Sequence, residues 1–271
     1  MYPAYYKSGG IIVNWFENLN PIFQALIATT FTWGVTAIGA LLVCCFKQIN
    51  KKVLDTVLGF GAGVMLAASF WSLLSPALEL SNNLGYIEWL LPSIGFSVGS
   101  LFVLFADKFL DKTISNKSSL KRSILLIAAI TIHNIPEGMA IGVAFGGVML
   151  GIPGMTLMSA IMLALGIGIQ NFPEGAAVSL PLRREGFSCF KAFMYGQSSA
   201  LVEPIAAVIG VVLALSVRSI LPFLLSFAAG AMVMVVAREL LPESVKENKN
   251  LSSLGITAGF ILMMILDVAL G

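Results

Sequence analysis

Long runs of apolar residues, broken by short polar stretches, dominate this chain. A helix needs roughly 20 consecutive apolar residues to cross the hydrocarbon of a bilayer. Eight runs qualify, over residues 22–46, 53–75, 87–107, 123–149, 155–181, 190–215, 219–241 and 252–270. The pattern predicts an all-α integral membrane protein, one domain over 1–271, with eight transmembrane helices. Ahead of the first run, Ile11, Ile12, Val13, Trp15 and Phe16 form an apolar patch too short to span. It reads as an interfacial segment with Trp15 at headgroup level. Between Met1 and Pro21 no charged stretch leads into a clean apolar one, so no cleavable signal peptide is expected.

Composition agrees with a bilayer as solvent. Hydrophobic residues make up 58% of the chain and charged residues 11%, against about 25% charged in soluble domains. The mean hydropathy is +0.92. A surface of that composition would aggregate in water. No basic stripe interleaved with aromatics points to nucleic acid.

The net charge of +2 matters less than where the cations fall. With eight spans, one side holds Lys47, Lys51 and Lys52; Lys108, Lys112, Lys117, Lys121 and Arg122; Arg183, Arg184 and Lys191; and Arg238, Lys246 and Lys249. Only Lys7 and Arg218 fall on the other side. Cytoplasmic loops carry the excess of Lys and Arg, so both termini should face the outside or periplasm, in a cell (inner) membrane. The cationic connection over 108–122 is expected to be a flexible cytoplasmic loop. Cys44, Cys45 and Cys189 make neither a zinc motif nor a disulfide framework and read as ordinary thiols.

One motif occurs twice. The fourth run contains His133-Asn134-Ile135-Pro136-Glu137-Gly138, and the fifth contains Gln170-Asn171-Phe172-Pro173-Glu174-Gly175. Consecutive spans run in opposite directions, so equal motifs at equal depth imply a pseudo-two-fold axis in the membrane plane, as in secondary transporters. Phe60–Met65 in the second run and Phe227–Met232 in the seventh form a weaker second pair. The resulting arrangement is 3+2+3, with three helices, a central pair and three inverted helices. Gly63 and Gly230 within that second pair read most simply as close-packing positions.

The chemistry sits in the central pair. Residues four apart share a helix face, so His133 pairs with Glu137 and Gln170 with Glu174. Facing helices would bring an imidazole, two carboxylates and an amide to one point near the midplane. Ionised groups there cost several kcal/mol unless paired, and two carboxylates repel. A divalent cation offsets both costs, and nitrogen with oxygen donors suits zinc and its first-row neighbours. Pro136 and Pro173 deprive the carbonyls of Ile132 and Ile169 of their helical donors. Kinks and a polar cavity beside the ligands are expected, while Gly138 and Gly175 permit close helix approach. The bland alternative is a polar cluster that only ties the bundle together. Two copies at one depth, one with the only histidine of the chain, favour the ion.

Other polar residues in the runs have weaker claims. Glu203, followed by Pro204, reads as a second-metal or relay group, or as a partner of Gln197 or Ser199. Asn134 and Asn171 project about 100° from the first ligands, towards a neighbouring site with Glu203 that Glu137 and Glu174 would bridge. Met65 could offer a soft thioether, although core or lipid-facing methionine is the commoner case. Asp55 and Glu79, at the two ends of one span, and Glu239 with Glu243 on the inner side are candidate relays along a transport pathway. Asp267 reads as an outer-interface residue.

HNIPEG followed by QNFPEG on consecutive helices of an eight-span chain resembles the ZIP (Zrt-, Irt-like protein) divalent metal transporters, especially their bacterial branch. The resemblance covers nearly the whole chain. It implies uptake of Zn²⁺, and of Cd²⁺, Fe²⁺ or Mn²⁺ by related donor sets, into the cytosol, with the ion as cargo and no resident cofactor. It implies a two-metal centre. One site matches His133, Glu137, Gln170, Glu174 and Met65; the other matches Asn134, Glu137, Asn171, Glu174 and Glu203. It also implies a homodimer and an elevator motion of spans one, four, five and six against the rest. Two departures stand out. Asn171 stands where some relatives carry aspartate, which weakens the second site, and Arg238 stands where many carry histidine, which puts an inner-mouth metal site in doubt. The histidine-rich inner loop of many relatives is missing.

The function these readings predict is a carrier of divalent ions, not an enzyme. A metal-selective channel would use the same residues. An intramembrane zinc hydrolase is disfavoured by the single histidine and the lack of an HExxH pattern.

Overall fold

The computed structural model describes residues 15–45, 50–113, 119–152, 154–184, 186–216 and 218–270. Side chains at a few helical positions, His133 among them, lie outside the described set. So do the interfacial patch at Ile11, Ile12 and Val13 and the cation Lys117. Among the described residues there is no strand.

Helical segments follow one another as rods. α1 runs Pro21–Cys45. α2 joins Lys51–Ala68, a π-helical stretch Ser69–Leu74, and Ser75–Asn83. α3 is Leu90–Thr113, α4 Ser119–Met149 and α5 Leu157–Arg184. α6 joins Cys189–Ser198 to Val202–Ser216 through a 3₁₀ turn, Ser199–Leu201. α7 joins Leu221–Val235, a π-helical stretch Val236–Leu240, and Leu241–Ser244. α8 joins Lys249–Ile265 to the π-helical stretch Leu266–Leu270. Six of these rods (α1, α2, α5, α6, α7 and α8) are long and apolar enough to cross a membrane, and α3 carries a shorter apolar stretch, Leu90–Ala106.

Local chemistry sets the helix starts. The side chains of Asn50, Ser188 and Asn248 accept hydrogen bonds from Lys52 N, Lys191 N and Leu251 N, each supplying an acceptor for a first-turn N–H. Gly151 and Gly154, with φ of 62° and 77°, turn the chain between α4 and α5. The connection expected over 108–122 is shorter than the polarity suggests. α3 stays helical through Thr113 and α4 starts at Ser119. The polar ends contain no helix breaker, so they continue as helix beyond the apolar runs. What remains, 114–118, is outside the described residues.

The rods pack most extensively in four pairs: α1 with α5, α4 with α6, α2 with α8 and α3 with α7. Glycine opens each seam. A Cβ at Gly39 of α1 would meet the Phe172 carbonyl of α5, and one at Gly142 of α4 the Ala207 carbonyl of α6. Gly63 of α2 lies on the Ile256 carbonyl of α8, and Gly230 of α7 on the Phe96 carbonyl of α3. Small residues let backbones approach where lipid supplies no hydrophobic drive between helices. The result is two groups, α1–α4–α5–α6 and α2–α3–α7–α8, touching mainly through α2 on α5 and α7 on α4.

The cysteines depart from the sequence reading. Cys44, near the end of α1, and Cys189, the first residue of α6, are disulfide-bonded, with Cα atoms 5.5 Å apart and a sequence separation of 145. Cys45 is free and exposed. Spacing along the chain could not reveal this contact, because it depends on α1 ending where α6 begins. Beside the bond a small satellite core forms from Val43, Ile130, Ala176, Val178, Leu180, Leu182 and Ala192.

Candidate metal centre

Two close helix contacts place the site. Gly138, one residue after Glu137, lies against the backbone of Glu203 on α6. Gly175, one residue after Glu174, lies against the Thr36 carbonyl on α1. Both helices run through their prolines, Pro136 and Pro173, as continuous elements. The tight seams hold the backbone on either side of each missing hydrogen bond.

Asn134, Glu137, Gln170, Asn171, Glu174 and Glu203 are all buried. A chain of amides links the carboxylates. Gln170 Nε2 donates to Glu137 Oε1 at 2.6 Å and to Asn171 Oδ1 at 3.2 Å. Asn171 Nδ2 donates to Glu203 Oε1 at 2.8 Å. Thr32 on α1 closes the chain, with its hydroxyl donating to Glu203 Oε2 and its carbonyl accepting from Asn171 Nδ2 at 3.5 Å. Glu137, Gln170, Asn171 and Glu203 thus form one buried network across three helices, with a fourth supplying Thr32.

The network leaves polar atoms over. Asn134 Oδ1 and Nδ2, Glu137 Oε2, Gln170 Oε1 and Glu174 Oε2 are buried without a hydrogen-bond partner among the described residues. Buried polar atoms are normally satisfied, and each orphan costs about 1–3 kcal/mol. Four of the five are oxygens able to bind a hard or borderline cation. Among the described residues, which leave out the His133 side chain, no group of three or more His, Cys, Asp or Glu is placed to hold a metal ion. The amides stand between the carboxylates, and Gln170 Oε1, without a partner among the described residues, is a further oxygen a cation could use.

The remaining candidates separate. His133 lies on α4 one turn before Glu137, and its side chain is outside the described residues. Met65 is buried on α2. It lies one turn beyond Gly61, whose face meets Gln170 and Pro173 of α5, so Met65 shares the face turned to the centre. Glu239, in the π-helical stretch of α7, lies near enough to Glu174 for their charges to interact. Asp55 is buried and committed elsewhere: its Oδ2 accepts from Glu247 N at 2.8 Å and Asn248 N at 2.9 Å, fixing the start of α8. Glu79 is exposed, close to Gly154. Glu243 is exposed and paired with Lys246. Asp267 accepts from Ser72 Oγ at 2.7 Å, joining the π-helical stretches of α8 and α2. Gln197, considered as a partner of Glu203, instead accepts from Trp33 Nε1.

Thr32 was missed by sequence reasoning. Its signal was present: Gln24, Thr29, Thr32 and Thr36 form one buried polar face of an otherwise apolar helix.

The fold and this cluster define a polytopic membrane protein with a buried, oxygen-rich centre on two copies of one helical motif. The ZIP zinc transporter family model matches residues 112–267. The zinc transporter ZIP11 of Bos taurus is 40% identical, over 93% of this chain and 98% of its own. Zinc transporter ZIPB of Bordetella bronchiseptica is 34% identical, over 94% of this chain and 84% of its own. Zinc transporter ZupT of Clostridium perfringens is 33% identical, over 92% and 96%. The chain belongs to the ZIP family of zinc transporters. It is a multi-pass membrane protein of a transporter family, not an enzyme.

Proposed function

We propose that this protein is a secondary transporter that carries divalent transition-metal ions, Zn²⁺ foremost, into the cytosol through a centre between α4 and α5. The observation that carries the reading is the set of orphaned buried atoms on Asn134, Glu137, Gln170 and Glu174. Bound dications would satisfy these oxygens and offset the repulsion among the carboxylates. Cd²⁺, Fe²⁺ and Mn²⁺ fit the same donors less selectively.

The centre is binuclear in this reading. His133, Glu137, Gln170, Glu174 and Met65 hold one ion. Asn134, Asn171 and Glu203, with Glu137 and Glu174 as bridges, hold the other. The amide chain acts as a stand-in: Gln170 donates to Glu137 until a cation arrives, then turns its oxygen inward.

Eight crossing helices in a 3+2+3 inverted arrangement, in the inner membrane with both termini outside, match the cation distribution. The packing supports the inverted repeat. Exchanging α1 with α6, α2 with α7, α3 with α8 and α4 with α5 turns each extensive pair into another extensive pair. Alternating access follows if α1–α4–α5–α6 slides as an elevator against α2–α3–α7–α8, with Glu239 receiving the ion on the inner side and a homodimer anchoring the static group. A centre split between the two groups, with most donors on one and Met65 and Glu239 on the other, favours a carrier over a channel. The test is zinc uptake into cells or vesicles by Glu137→Ala and His133→Ala. Unchanged uptake at normal expression would remove the assignment.

A further inference from the structure

The seam between α1 and α6 is tied at several heights. Near its middle, Thr32 holds Glu203, and Trp33 Nε1 donates to Gln197 Oε1 at 2.9 Å. Lower down, Gly196 lies against Ala40. At the end, Cys44 is bonded to Cys189. The 3₁₀ turn Ser199–Leu201 divides α6 between the segment that carries Cys189 and the segment that carries Glu203. Such mid-helix breaks act as hinges. The bond therefore clamps the Cys189 end of the segment Cys189–Ser198 to α1, beyond the contacts that Gly196 and Gln197 make with α1 and apart from the half that faces the centre.

Its surroundings are cationic, with Arg183 and Lys191 nearby in sequence. Given the orientation proposed above, on which this inference rests, the pair lies at the cytosolic end. Glutathione there keeps most thiols reduced, so a disulfide at that end is an exchangeable one. We propose that Cys44 and Cys189 form a reversible thiol–disulfide site on the cytosolic rim, which clamps the inner segment of α6 to α1 when oxidised and releases it when reduced. The co-reactant is a small cytosolic disulfide of the glutathione class. Cys189 sits in the first turn of a ten-residue helix, where free N–H groups favour negative charge on its sulfur. Its thiolate attacks one sulfur of the small disulfide, and the departing thiolate takes up a proton. The Cys44 thiolate then attacks the Cys189 sulfur of the mixed disulfide and releases the second small thiol. Two protein thiols are oxidised and one small disulfide is reduced to two thiols.

The test uses the full chain with Cys45→Ser, in sealed vesicles whose cytosolic face points outward. An impermeant maleimide should label Cys44 and Cys189 after treatment with reduced glutathione. Labelling of both should fall together as glutathione disulfide is raised, and return on re-reduction. By hydrogen exchange, amides of 189–198 should exchange at least about 10-fold faster in the reduced form, and those of 202–216 should not change. Cys189→Ser should exchange at the reduced-form rate under all conditions. Three results would each overturn the proposal: thiols that stay labelled at every ratio, a bond that excess reduced glutathione leaves intact, or labelling only from the opposite face. Zinc uptake by Glu137→Ala reports on the transport reading separately, since the thiol readout needs no transport.

Discussion

Asn134 and Asn171 occupy the same place in two copies of one motif, yet their surroundings differ. Asn171 donates to Glu203 and to the Thr32 carbonyl. Asn134 is equally buried, and neither atom of its amide has a partner among the described residues. The first residues of the motifs diverge too. Gln170 serves both Glu137 and Asn171, whereas α4 carries His133 there. The inverted repeat is thus close to symmetric in packing and asymmetric in polar wiring. The asparagine of the α5 copy is held by its protein neighbours, and that of the α4 copy is left with unspent atoms. Those atoms, with Glu137 Oε2, Gln170 Oε1 and Glu174 Oε2, are the groups a cation would use.

The largest effect should come from the residue that serves both proposed sites. Stranding the partner of a buried charge costs about 3–5 kcal/mol. Glu137→Ala should therefore weaken zinc binding by on the order of 100-fold or more and bring uptake to background, measured by calorimetry and by vesicle uptake. If zinc takes up the unspent atoms of the two copies, it must also stabilise the fold. At 100 times its dissociation constant it should add about 2.7 kcal/mol, seen as a higher unfolding temperature in detergent. Asn134→Ala should shrink that increment, and an increment untouched by Asn134→Ala would remove the amide from the site.

Without metal the two asparagines should behave oppositely. Asn171→Ala takes a donor from Glu203 and should destabilise the protein by about 1–3 kcal/mol. Asn134→Ala removes a buried amide that has no partner among the described residues, so metal-free stability should hold or rise, the relief of about 1–3 kcal/mol being offset in part by the cavity left behind. Equal losses in thermal unfolding would mean that the two copies are wired alike after all. The smallest loss should be at Thr32. Thr32→Val deletes one hydroxyl bond at a cost of about 1 kcal/mol, and Thr32→Ser should restore it.

Much of the centre was legible in the chain. The spacing of Glu137 after His133 and of Glu174 after Gln170 placed each pair on one helix face, and the repeat placed the two faces at one depth. Glu203 was legible too, since a carboxylate inside an apolar run needs a partner. Which partner it takes was not, because Thr32 lies 171 residues away and threonines in apolar helices usually bond their own backbone. Asp55 shows the converse. In the chain it resembles a pathway carboxylate. In the fold its oxygen is spent on two backbone N–H groups of α8.

Periodicity, composition and the doubled motif sufficed to establish a helical membrane protein and to predict the kind of ion its centre would suit, because helix geometry and the cost of burying charge are local and general. Pairings between distant helices were decided only by the tertiary structure. The glycine seams, the Thr32–Glu203 contact and the joining of Cys44 to Cys189 depend on which rods lie side by side, and nothing in the spacing along one rod encodes the identity of its neighbour.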